Sequence, residues 1–172
     1  MALTVLAPAS LEIRIATRED VPALRGLKRA VVAETWGRDH DTADVDHWLG
    51  RFAVPGYFAA RIDAGPDCAS TFFVVGPPDV PTGMAALKVR DGRAYIGDVY
   101  VAQRGQGIGR RLLGHALEEA KGLGLPLAMA DVFDGNQAAL HLLRAHGFRK
   151  VEEYTEPSLR IAVSRLAKSL GA

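Results

Sequence analysis

The residues best suited to chemistry are Arg104-Gly105-Gln106-Gly107-Ile108-Gly109, followed by Arg110 and Arg111. Glycine removes the Cβ atoms that would hold a ligand off the backbone, and it permits positive φ. Residues 97–102, just before, have the β-branched, alternating character of a strand. From Ile108 onward, apolar residues recur at helical spacing, at Leu112, Leu113, Ala116, Leu117 and Ala120. The first turn of a helix offers N–H groups with no intrahelical acceptor and the positive end of the helix dipole. Strand, glycine-rich turn and helix in that order predict a cradle for phosphate or pyrophosphate. Strand alternation also puts Asp98 and Tyr100 on a common face just upstream.

Two familiar cradles do not fit. A P-loop needs Lys followed by Ser or Thr after its last glycine, and Arg110-Arg111 stand there. A dinucleotide fingerprint needs G-x-G-x-x-G early in a βαβ unit, whereas the spacing here is G-x-G-x-G, deep in the chain.

The elements around the cradle follow from pattern. Residues 11–16 alternate as a strand. Thr17-Arg18-Glu19-Asp20 is a capping box with Pro22 in the first turn, opening a helix whose buried stripe is Val21, Leu24, Leu27, Val31 and Val32. A second helix is expected over 42–52, with Val45, Trp48, Leu49 and Phe52 inward and Pro55-Gly56 as its stop. Residues 57–62 read as a short strand or an irregular passage, and 63–70 as a loop. Strands follow at 71–75, 82–90 and 93–102, the last two joined by an Asp91-Gly92 turn. After the central helix come Gly122 and Gly124 as a C-cap and Pro126 as a block. Residues 127–133 form a largely apolar, buried strand. Residues 136–146 form a short helix closed by Gly147, and 148–154 and 158–166 are the last strands. The order is β α α β β β α β α β β. It divides into a flexible segment 1–10, one domain over 11–166 and a tail 167–172.

Composition narrows the class. The 172 residues are 48% hydrophobic and 24% charged, with net charge +1, the profile of a globular domain with a sizeable core. The near-neutral balance argues against a nucleic-acid binder. A single Cys68 excludes an internal disulfide and offers no metal framework. No basic leader and no apolar run of transmembrane length is seen, so the expected location is cytoplasmic, without a membrane partner.

With these residues in view, a resemblance becomes specific. Arg104, Gly107 and Gly109 meet the R-x-x-G-x-G/A pyrophosphate loop of the GNAT N-acetyltransferases. Asn136, Ala139, Gly147 and Phe148 meet that family's N-x-x-A…G-F pattern, and IRIATREDVPAL resembles its first strand and helix. The element order is also the family's. The resemblance implies an α/β (α+β) GNAT fold, a mixed sheet of about six to seven strands flanked by about four helices and splayed at its centre. It implies acetyl-CoA as co-substrate, no metal, and direct attack of a primary amine on the thioester. In that pattern Val99 and Val101 bond pantetheine through the main chain. The amides of Arg104, Gly105, Gln106, Gly107, Ile108 and Gly109, with Arg110 nearby, hold the pyrophosphate, and Asn136 bonds the arm from the other side. A backbone amide near Val99 to Val101 meets the oxyanion. Asp98 stands where many members carry an acidic residue, and reads either as general base or as a strand-end carboxylate making hydrogen bonds. Tyr100 either lines the acceptor pocket or packs in the core. Members are often dimers, so a homodimer is a further expectation.

Two departures stand out. Where members usually carry a Tyr that protonates the departing thiolate, this chain has Leu143. His141 points away from that position and His146 lies nearer to it. The link from Val101 to Arg104 is also two residues shorter than the common form. Leu143 leaves open a coenzyme A-binding regulatory module, the short link bears on the placement of Asp98, and a transferase of longer acyl groups is a further alternative, decided by the room beyond the thioester. The acceptor reads as a small-molecule amine or a peptide. The acidic stretch Glu34, Asp39, Asp41, Asp44 and Asp46 is a solvated face or a rim for a cationic amine. His115 and Glu119 read as a solvated i, i+4 pair, and Trp36 and Trp48 as core residues or walls of an acceptor site.

Overall fold

Both faces of the TFFVV run at 71–75 are apolar, which requires cover on both sides of the strand, and the computed structural model supplies it. It describes residues 12–36, 40–64 and 70–171. The elements are β1 (Ile13–Ile15), a 3-10 turn (Arg18–Asp20), α1 (Val21–Trp36), α2 (Thr42–Phe52), α3 (Pro55–Asp63), β2 (Ser70–Val75), β3 (Gly83–Arg90), β4 (Arg93–Val101), α4 (Ile108–Gly122), β5 (Leu127–Phe133), α5 (Gln137–Ala145), β6 (Arg149–Glu156) and β7 (Ile161–Ser169). One seven-stranded sheet runs β1-β2-β3-β4-β5-β7-β6. Among the described residues only β4 and β5 are parallel neighbours, and every other pair is antiparallel.

Strand alternation sorts the side chains between layers. Phe73 and Val75 of β2 join Ile108, Leu112, Leu113 and Leu117 of α4 in the main core. Phe72 and Val74 face Leu24 and Leu27 of α1 and Phe58 of α3 on the other side. A third cluster gathers Val32 and Trp36 of α1 with Val45, Trp48 and Leu49 of α2. The first turn of α4 lies directly on β3: a Cβ at Gly83 would stand 2.7 Å from Ile108 Cγ2 and 2.9 Å from Leu112 Cδ1. That contact anchors the helix start against the sheet.

Two expectations are corrected. Residues 57–62 are neither strand nor irregular: they belong to α3, with Pro55 at its first helical position. Pro55 opens a helix because its missing N–H is one that no helix start can pair. There are therefore five α-helices among the described residues. Residues 167–169 of the expected tail are strand, since β7 pairs with β5 as far as Ser169 opposite Leu127. The N–H of Leu170 then donates to Pro126 O. The segment 1–10, Asp39 and Cys68 lie outside the described residues. No helix among the described residues is long and apolar enough to cross a membrane.

The entry to α1 is a charged cap. Asp20, 1% exposed, accepts from the Thr17 N–H at 2.8 Å and from both Arg14 Nη atoms, at 2.8 and 2.6 Å. The Arg14 hydrogen bonds, against the opposing effect of burial, hold the Asp20 carboxyl below the usual carboxylate range. Its contribution to stability is therefore complete above the unfolded value near ~4, and is lost as pH falls through the lower folded value. Asp20→Ala is expected to lower the unfolding free energy by about 3 kcal/mol at neutral pH, since it strands the Arg14 guanidinium and the Thr17 N–H. Urea unfolding of both proteins should show that difference intact at neutral pH and shrinking below it as the wild-type carboxyl protonates.

Candidate active site

The centre of the sheet comes apart at β4. Towards β3, Met84 opposes Tyr100 and Ala86 opposes Gly97, so β4 carries one residue more than β3 across the interval. The extra residue makes a bulge at Asp98 and Val99, and Asp98 takes the left-handed conformation at φ 50°. For a residue with a Cβ that conformation costs roughly 1–2 kcal/mol. Bulges bend and twist the strand that carries them. Towards β5, β4 is paired only at Ala94 with Ala128 and at Tyr95 with Met129. β5 stays paired with β7 from Leu127 to Phe133. From Ile96 onward the edge of β4 therefore faces a gap, open at the carboxyl ends of two parallel strands. Val99 and Val101, half-buried, flank that gap and pack against the main core.

The cradle closes the end of β4. Gly105 and Gly107 have φ of 82° and 71°, and Gly107 is the N-cap of α4. The Ala102 N–H donates to Thr82 O, and the next backbone bond is Arg111 N–H to Gly107 O, 3.0 Å. Among the described residues, the N–H groups from Arg104 to Arg110 find no backbone acceptor. This run of open donors at the positive end of a helix fits a pyrophosphate. Ile108 is buried and pins the turn, while Arg104 and Arg110 are exposed beside it. Gln106 donates to Gln103 Oε1 at 2.6 Å.

Asn136 caps α5, its Oδ1 accepting from the Ala139 N–H at 3.1 Å. The Asn and Ala of the late motif are thus bonded to each other, and the NH2 of Asn136 has no partner among the described residues. Arg104 and Asn136 line one groove of about 190 Å³ with Glu34, Trp36, His40 and Asp134. Leu143 is buried in the main core with Leu140 and Phe148. His146 is tied through Nδ1 to Leu142 O at 3.0 Å, and His141 is exposed.

Asp98 is not a free carboxylate. Its Oδ1 accepts from Lys28 Nζ of α1 at 2.5 Å, and its Oδ2 from the Tyr57 hydroxyl of α3 at 2.7 Å. The two charged side chains are 1% and 10% exposed. Nζ of Lys28 also lies 4.2 Å from the centre of the Tyr57 ring, 4.8 Å from Trp48, 5.6 Å from Tyr100 and 5.7 Å from Phe58. Burial pushes the Lys28 ammonium down from its ordinary value, opposed by Asp98. Burial, with the Asp98 charge beside it, pushes the Tyr57 and Tyr100 hydroxyls up. Tyr100 lies near Asp98 and is half-buried, its ring 5.6 Å from Lys28 Nζ.

Lys28 and Tyr57 were not singled out from the sequence. The signal for Lys28 was its position: Leu24, Lys28 and Val32 are spaced i, i+4, i+8, and all three are 0% exposed. A lysine in an apolar stripe needs an internal partner. Tyr57 was hidden by the misread of α3.

Asp41 is the N-cap of α2, accepting from the Ala43 N–H at 2.9 Å. Trp36 stacks with Trp48 and Phe133 at 5.0 and 4.6 Å. His115 lies 3.9 Å from Glu119 on an open face. No cluster of three or more metal-ligating side chains occurs among the described residues.

A strand-end cradle, a split parallel pair and a capped late helix are the elements that the resemblance in the sequence implies for an acetyltransferase fold. Residues 32–148 match the Acetyltransferase (GNAT) family, and the chain belongs to that family and is an acetyltransferase. It is 30% identical over 148 residues to the L-amino acid N-acyltransferase MnaT of Escherichia coli K12, covering 80% of this chain and 79% of that protein. PaiA N-acetyltransferase of Thermoplasma acidophilum in complex with coenzyme A shares the fold with a TM-score of 0.76 and 18% identity, over 90% of this chain and 96% of that one. YncA of Salmonella typhimurium, a putative acetyltransferase with acetyl-CoA, superposes with a TM-score of 0.66 and 23% identity, over 95% and 96%.

Gly107→Val is expected to raise the dissociation constant for coenzyme A more than about tenfold, because a β-branched residue resists φ of 71° and withdraws the open amides. Titration calorimetry on the folded variant measures this directly.

Proposed function

We propose that the protein transfers the acetyl group of acetyl-CoA to a primary amine, with both substrates bound together at the gap between β4 and β5. The observation that carries this reading is the splay of that parallel pair after Tyr95 and Met129, with the open cradle at its end. The pantetheine arm runs along the free edge of β4 at Val99 and Val101, as an added strand would. The amides from Arg104 to Gly109 hold the pyrophosphate with Arg110 beside them, and the NH2 of Asn136 holds the arm from the facing side.

Coenzyme A presents the acetyl group as a thioester, open to attack by an unprotonated amine. The chain's task is to take up the amine's proton and to meet the developing oxyanion. Asp98 takes the proton, directly or through a water, from its fixed place on the bulge. A backbone N–H of β4 between Val99 and Val101 meets the oxyanion, free to do so because β5 has left that edge. Leu143 donates no proton, and the thiolate, with a conjugate acid near ~8.5, departs without a dedicated acid.

The acceptor class to test first is the α-amino group of an L-amino acid, since a relative at 30% identity bears that activity in its name. Free-thiol release from acetyl-CoA should be measured against amino acids, polyamines, aminoglycosides and short peptides. Amine-dependent release establishes the transferase, and the best acceptor names the class. Tight coenzyme A binding with no release from any amine would favour the regulatory module instead. Asp98→Asn is expected to lower kcat about 100-fold while the affinity for acetyl-CoA changes little. An unchanged kcat would exclude Asp98 as the base.

A further inference from the structure

The ammonium of Lys28 occupies a box built from three helices and the central strand. It takes the place of an aliphatic residue in the stripe between Leu24 and Val32. Trp48 of α2, Tyr57 and Phe58 of α3 and Tyr100 of β4 surround it. Withdrawing an ammonium from water is costly unless a counter-charge and hydrogen bonds replace the solvent. Asp98 supplies both, from the one position where β4 bulges. The Asp98 carboxylate is held in turn from two directions, one oxygen by α1 and the other by α3.

We propose that Lys28, supported by Tyr57, is a positioning residue for acetyl transfer, its caged ammonium holding the Asp98 carboxylate in place on the bulge at which β4 parts from β5. This rests on the reading of Asp98 as proton acceptor. The groups facing Lys28 are Asp98 and Tyr100 from β4 and Tyr57 and Arg61 from α3, while α2 presents the Trp48 ring. Asp98 is the anion among them, and Arg61, stacked on Tyr57 with its guanidinium carbon 3.7 Å from the ring centre, opposes a second positive charge. With Lys28 charged, the carboxylate keeps its counter-ion down to acidic pH. Without it, the carboxylate loses the ion pair and the hydrogen bond that fix it from the α1 side.

The test compares wild type with Lys28→Met, Lys28→Arg and Tyr57→Phe. It measures folding by circular dichroism, acetyl-CoA affinity by calorimetry, and kcat against pH by thiol release with the best acceptor. For folded Lys28→Met the expected result is acetyl-CoA affinity within about threefold of wild type and kcat lower by about thirtyfold. The acidic limb of its profile should move from the wild-type position, and Lys28→Arg should restore it. Tyr57→Phe, which keeps the ring and removes one hydrogen bond, should lower kcat about fivefold with a smaller shift in the same direction. A folded Lys28→Met with wild-type kcat and an unmoved limb overturns the proposal. So does a loss of kcat matched by loss of acetyl-CoA binding with the limb in place, which marks a merely structural pair. If Lys28→Met does not fold, an unchanged kcat and limb in Tyr57→Phe overturns it. A wild type that binds acetyl-CoA and acetylates no amine contradicts the transferase reading itself, and is distinguished by that result.

Discussion

The structure depends on one strand leaving its neighbour. Two parallel strands that begin paired would normally continue so, because each lost rung leaves an N–H and a C=O without a partner. Here β4 breaks away from β5 after Tyr95 while β5 remains fully paired with β7. The break is local because β4 keeps its other edge on β3 and absorbs the change of direction in a single bulge at Asp98. The left-handed backbone at that residue is strained, and strain persists only where the surroundings over-determine it. Two donors from two helices, Lys28 and Tyr57, do so.

The same carboxylate joins the two halves of the site. On one side lie the unpaired edge of β4 and the open amides that follow it. On the other lie α1, α2 and α3, whose aromatic residues enclose Lys28. An interaction that fixes the bulge therefore fixes the strand edge and the helical wall relative to each other. Glycine at 83 does the corresponding work beneath the cradle, letting the first turn of α4 rest on β3.

Much of this was legible because it is local. The glycine loop, the helix after it and the N-x-x-A cap are written in contiguous residues, and the structure places them as the sequence implies. The seven strands were legible from alternation and apolar runs. What was hidden depended on distant partners or on ambiguous punctuation. Pro55-Gly56 reads equally as the end of one helix or the start of another, and only the burial of Phe58 against Phe72 and Leu24 decides for a start. The continuation of β7 to Ser169 is set by its partner β5, not by its own pattern. Lys28 was legible as an anomaly in a stripe, yet its partner lies seventy residues away.

The central claim is that the free edge of β4 and the amides behind it are the coenzyme A site. Backbone amide NMR of the full chain titrated with coenzyme A tests it most directly. The account predicts that the largest shifts fall on the amides from Arg104 to Arg110 and on β4 beyond Ile96, while β1 and β6 stay unmoved. Saturable binding that leaves those amides unshifted, or no binding at all, would contradict it.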